Sequence, residues 1–294
     1  MALTLGRLSV NNGFRRSVHH ITLNSVKGQR FYSTISKEER KSASGTVISE
    51  RRGTVMLIGI NRPEARNAVN QETAQRLTEE LSAFDQDNSL NVAVLYGVGK
   101  FTYTLKRNSL YMHFSPYSPS SHPLLSKPLI AAVSGYAVAG GLELALLADL
   151  RVVEESSIMG VFCRRFGVPL IDGGTVRLPQ LIGLSRALDL ILTGRPVKAQ
   201  EALTFGLANR VVPDGQALQV ALELAEQVSA FPQLCLRADR NSAYHAVFDS
   251  TSFTQAMQYE FDHGLPVVVA EAVTGATKFS LGAGRGGTFS KSKL

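Results

Sequence analysis

The chain has no tryptophan, and among its 294 residues only two cysteines, Cys163 and Cys235. Two thiols 72 positions apart have no metal-ligand spacing and suggest no disulfide framework, which argues against a zinc module or a stapled secreted scaffold. The six histidines are scattered and form no cluster with cysteine or aspartate, so neither a metal nor a redox cofactor is expected. Long apolar runs are also lacking. Asp, Arg or Gly interrupts each one before the roughly 20 residues that cross a bilayer, so no membrane span is expected. The segment 1–36 contains no Asp or Glu at all.

What is present describes a globular body with a basic leader. Hydrophobic residues make up 44% and charged residues 19%, enough to bury a sizeable core. The net charge of +7 is concentrated at one end: residues 1–40 hold seven basic and two acidic side chains, leaving a body of about +2. A basic face for nucleic acid is therefore not indicated. The acid-free, Arg- and Ser-rich start has the composition of a mitochondrial transit peptide, and Arg30-Phe31-Tyr32-Ser33 resembles a processing site. The sequence ends in Ser292-Lys293-Leu294, the tripeptide of peroxisomal import. The expectation is the mitochondrial matrix, with the peroxisome as the alternative and dual targeting open.

Along the body, Gly45–Ile60 reads as a hairpin turning at Arg51-Arg52-Gly53. Apolar residues at Ala74, Leu77, Leu81 and Phe84 recur at helical spacing. Short buried strands follow at 91–96 and 129–133, separated by a Ser- and Pro-rich stretch, 101–125, that reads as a loop. Gly140-Gly141 opens a helix to Leu147, Asp149–Val153 is a strand, and 160–174 reads as a loop. Beyond Pro232 the pattern is helical to about Phe279, with an interruption expected at Gly264-Leu265-Pro266. Alternating strands and helices followed by a helical third predict an α/β core.

At Ile130–Val153 the chain reads IAAVSGYAVAGGLELALLADLRVV. This resembles the signature of the enoyl-CoA hydratase/isomerase (crotonase) family. Further matches lie at Asn61-Arg62-Pro63, Asn67-Ala68, Gly173-Gly174-Thr175, Arg177-Leu178 and Leu192-Thr193-Gly194-Arg195, so the resemblance runs from about Thr46 to Phe279. It implies a crotonase-like spiral β core of ββα repeats with a C-terminal helical oligomerisation region, assembling as a homotrimer or homohexamer. The expected organisation is a presequence at 1–40, the core at 44–231, the helical region at 232–281 and a tail at 282–294.

The implied chemistry passes through the enolate of an acyl-CoA thioester, whose negative oxygen needs fixed hydrogen-bond donors. Glycines at a helix start let the backbone approach closely, and the first N–H groups of a helix lack partners within it. By resemblance the Gly140 N–H is one oxyanion donor. The second falls on Tyr103, in a loop that matches at its start (Gly99-Lys100-Phe101) and then departs from the family pattern over 107–121. Glu143 matches the family's acid/base carboxylate; the alternative is an acid that only complements the dipole of its own helix. The second glutamate of typical hydratases is replaced by Cys163, and a neutral thiol cannot stand in for a carboxylic acid. Asp172 matches an aspartate of dienoyl-CoA isomerase relatives, or else caps the helix that follows it. Coenzyme A, as part of the substrate and not as a separate cofactor, is expected along Ala65, Arg66, Asn67, Ala68, Phe101 and Gly141, with Lys278 near a phosphate. Arg164-Arg165 fit either CoA phosphates or ion pairs at a subunit contact. The functional expectation is an enoyl-CoA hydratase or isomerase, the alternative a weakly catalytic acyl-CoA- or partner-binding protein.

Overall fold

The computed structural model describes residues 45–99 and 125–282. Its centre is a six-stranded sheet formed by β1 (Val47–Arg52), β2 (Val55–Ile60), β3 (Val92–Gly97), β4 (Leu129–Val133), β6 (Leu150–Glu154) and β9 (Arg210–Val212), in that spatial order. The first two strands pair antiparallel and the rest parallel, with Ala93 opposite Leu129 and Val133 opposite Val153. Parallel strands are covered on both faces, which is why β4 reads as an unbroken apolar run rather than an alternation. On one face, α6 (Ala217–Ser229) packs Ala217, Ala221, Leu222 and Ala225 against Leu57, Val94, Ile130 and Val152. On the other, α1 (Gln71–Gln86) and α2 (Gly140–Leu147) bury Leu77, Phe84, Leu142 and Leu146 against Ile58, Leu95, Ala131 and Val153.

A second, three-stranded sheet joins β5 (Tyr136–Val138), β7 (Ile158–Gly160) and β8 (Val197–Lys198). These strands are two or three residues long, too short for any alternation to show, and the sequence reading assigned a strand to none of them. Helices α3 (Gly174–Ile182), α4 (Leu184–Thr193) and α5 (Ala199–Phe205) complete the body.

The C-terminal region is a helical hairpin of α7 (Gln233–Phe248) and α8 (Phe253–Val267), continued through a π-helical turn, Val268–Ala272, into α9 (Val273–Ser280). The interruption expected at Gly264-Leu265-Pro266 is not there. The helix runs through Pro266, and the π turn just beyond takes up the disturbance caused by the missing N–H. The break lies at 249–252 instead, where the Ser252 hydroxyl accepts the Gln255 N–H and starts α8.

Polar fastenings hold the layers, Lys127 and Asp149 among them. Lys127 is 1% exposed, and its ammonium donates to the Phe84 and Asp87 carbonyls at 2.8 and 2.7 Å, closing the end of α1. Asp149, just past α2, accepts the Leu129 N–H on one oxygen, and Arg240 Nε and the Tyr244 hydroxyl on the other. That cluster ties α7 to the end of α2 and the start of β4. Burial and the neighbouring Asp149 push the Tyr244 hydroxyl up to about 12, so it stays a donor.

Candidate active site

β2, β3 and β4 run parallel, so the chain leaves their carboxyl ends on one edge of the sheet, where ligands of open α/β sheets bind. Three segments emerge there: 61–68 after β2, the residues after Gly97, and 134–141 after β4.

The first segment is a tight hook. Pro63–Ala65 forms a short 3-10 turn, and Arg66 and Asn67 follow with φ of +52° each. Asn tolerates the left-handed region better than most residues. Its side chain, 0% exposed, accepts the Arg62 N–H at 2.8 Å and donates to the Val98 carbonyl at 3.0 Å. Asn67 thus joins the hook to the end of β3. Asn67→Ala leaves both backbone groups without these partners and should lower stability by about 2 kcal/mol; urea denaturation with an unshifted midpoint would refute this. Ala65 and Ala68 are buried beside it.

The third segment turns from β5 into α2 at Ala139, whose φ of +54° and ψ of −126° are unusual for a residue with a Cβ. Its N–H donates to the Gly160 carbonyl, and its own carbonyl accepts the N–H groups of Leu142 and Glu143. Seven of the eight residues of α2 are buried, so the helix is apolar all round apart from Glu143. The Gly140 and Gly141 amides stand at its first turn, where N–H groups have no partner inside the helix and the dipole favours negative charge.

Glu143 is 0% exposed. Its Oε1 accepts two backbone N–H groups at 2.9 Å each, from Asp172 and Gly174. Gly174 is the first residue of α3, so this carboxylate sits at the positive end of a helix other than its own. The acid does not merely complement the dipole of α2. The turn is shaped for it: Gly173 has φ of +94°, and a Cβ on Gly174 would lie 2.9 Å from Glu143 Oε1. Asp172 is 6% exposed and adjoins this carboxylate through its backbone N–H. The N-cap of α3 is Gly173, the residue after it.

Cys163 is buried in a 3-10 turn, Phe162–Phe166. Burial first, and then the charge of Glu143, push its thiol up, so it stays protonated near neutrality. It therefore lies within the field of Glu143. Arg164 and Arg165 donate to the carbonyls of Ile191 and Gly194 at the end of α4.

Among the described residues, then, the structure brings Glu143, Asp172, Gly173, Gly174 and Cys163 together beside α2. Phe101 and Tyr103 lie outside the described residues, as does the side chain of Lys278 on α9. The sequence reading missed that backbone amides hold Glu143; the Gly-Gly pair at 173–174 was the available signal. No group of His, Cys, Asp and Glu suited to a metal occurs among the described residues.

A family model described as enoyl-CoA hydratase/isomerase matches residues 50–104 and 120–268. The chain belongs to the enoyl-CoA hydratase/isomerase family. It is 37% identical over 203 residues to the enoyl-CoA hydratase EchA19 of Mycobacterium tuberculosis, covering 64% of this chain and 76% of that one. It is 31% identical over 215 residues to a protein of Dictyostelium discoideum named probable enoyl-CoA hydratase, mitochondrial, covering 70% and 77% respectively. A crystal structure of enoyl-CoA hydratase from Mycobacterium tuberculosis superposes with a TM-score of 0.75 at 33% identity, covering 80% of this chain and 95% of that one. The fold is thus the crotonase fold of this family. The family match passes over 105–119, within the stretch after Gly99 that departs from the pattern.

Proposed function

We propose that this enoyl-CoA hydratase/isomerase family member acts on acyl-CoA thioesters, adding water across a 2,3 double bond or moving that bond, through an enolate. The observation that carries the reading is the sealed Glu143 carboxylate, held by two amides at the start of α3 and mounted one turn inside the helix that Gly140 opens. The Gly140 N–H would take the thioester oxygen, joined by a second amide from the Tyr103 loop. Glu143 accepts a proton from water as its oxygen bonds to Cβ, or from a carbon beside the double bond. In either case the electron pair collects on the thioester oxygen. Returning a proton to carbon collapses the enolate. Asp172 would share this transfer, because the thiol of Cys163 is too weak an acid to replace a carboxyl group. The hook at 65–68, with Gly141, Phe101 and Lys278, would hold CoA.

Relatives named hydratases favour water addition, while the thiol at position 163 favours proton transfer along the acyl chain. A panel of 2-enoyl- and 3-enoyl-CoA thioesters, read by chromatography of the products, separates the two. Turnover is expected, and Asp172→Asn should reduce it about 100-fold. Tight CoA binding with no product from any thioester would leave only a binding protein.

A homotrimer or homohexamer is supported by the stripe Phe253, Met257, Phe261 and Leu265, exposed at four-residue spacing along α8. The acid-free, Arg-rich composition of residues 1–36 and a relative named mitochondrial support the matrix.

A further inference from the structure

The turn at 172–174 donates both hydrogen bonds to Glu143, so whatever fixes that turn fixes the carboxylate. Arg177, one helical turn into α3, does so twice. Its backbone N–H donates to the Gly173 carbonyl at 2.8 Å, and its guanidinium Nη1 donates to the Asp172 carbonyl at 3.3 Å. A guanidinium stays charged, so it also places a cation on the turn that holds a carboxylate with no exposure to water. Burial pulls the Arg177 guanidinium down, while Tyr244 and Glu143 oppose that, which places Glu143 within its electrostatic reach.

We propose that Arg177 is a positioning residue for Glu143: it clamps the turn that grips the carboxylate and sets a positive charge behind that turn. The inference rests on Glu143 being the acid/base of the proposed reaction. Among the described residues, the other titratable groups that face the pair are Cys163 on its 3-10 turn, Asp172 on the gripping turn and Tyr244 on α7.

The test is the pH profile of kcat/KM for a turned-over enoyl-CoA in wild type, Arg177→Lys, Arg177→Gln and Arg177→Met, with Glu143→Gln alongside. The acidic limb of kcat/KM reports the free enzyme's base. A neighbouring cation lowers a carboxyl pKa, so removing it should move that limb to higher pH, by about one unit. The shift is expected in the Gln and Met variants and not in the Lys variant. All three should lose kcat, at least tenfold for Met, with KM little changed. A fall in activity that leaves the limb in place in a folded Gln variant, while Glu143→Gln is inactive, would overturn the inference and reduce Arg177 to a structural part. Should Met fail to fold, the comparison of Lys with Gln decides by the same limb. If Glu143→Gln itself retains full turnover, the assignment of Glu143 fails, and that outcome is distinct from the failure of Arg177.

Discussion

Glu143→Gln should lower kcat by about a thousandfold while the protein keeps its fold and its affinity for CoA. The substitution is nearly isosteric. An amide oxygen can still accept the Asp172 and Gly174 N–H groups, so the turn at the start of α3 has no reason to move. What is lost is the ability to take up a proton, and with it the proposed step to the enolate. The helix dipole of α3 adds to the contrast, because it stabilises the charged carboxylate and has little hold on a neutral amide. Steady-state kinetics beside calorimetric CoA binding and thermal unfolding check all three parts. A variant with half the wild-type kcat would remove Glu143 from the chemistry.

Gly174→Ala should be nearly as damaging, although it touches no charge. The added methyl group would meet Glu143 Oε1 at 2.9 Å, Glu143 Cγ at 3.0 Å and Leu170 Cδ1 at 3.1 Å. A carboxylate at the end of a side chain can usually swing aside, but Glu143 is sealed among buried neighbours and tied by two hydrogen bonds. Backbone strain is not the obstacle, since the left-handed residue of this turn is Gly173. Overpacking of this kind costs about 1–3 kcal/mol of stability. A displacement of the acid/base group by about 1 Å costs about 100-fold in kcat. The expected result is therefore a lower unfolding midpoint and a much lower kcat in the same variant. Wild-type kcat in Gly174→Ala would show that the carboxylate is not held where the turn puts it.

The central sheet could be read from the chain because β3 and β4 are buried on both faces, and such strands write themselves as continuous apolar runs. The second sheet could not, since its two- and three-residue strands carry no period. In the C-terminal hairpin, Gly264 and Pro266 drew attention to a break that the helix absorbs. The true break needed only the Ser252 cap and its Gln255 partner, a weaker mark in the sequence.

At the candidate site, the motif put Glu143 and Gly140 on one helix, where α2 has them, because the Gly-Gly step and the acid three positions on are side-chain facts. The grip on Glu143 was invisible for the opposite reason. Its donors are main-chain amides of residues 172 and 174, and any residue but proline carries one. Only the glycines hinted at it, by leaving room where a side chain would collide. Asn67 stood among the expected CoA-contact residues, yet its fastening of the hook to Val98 depends on a fold that brings 31 positions together.

Asp149 accepts hydrogen bonds from Arg240 and Tyr244 on α7 while it also anchors the first amide of β4. The outer helical hairpin therefore pulls on the rear of the same rod whose front end presents the glycine amides. Whatever grips or releases that hairpin loads a lever about eight residues long that ends at the Gly140 amide. One carboxylate thus couples the hairpin to the glycine step.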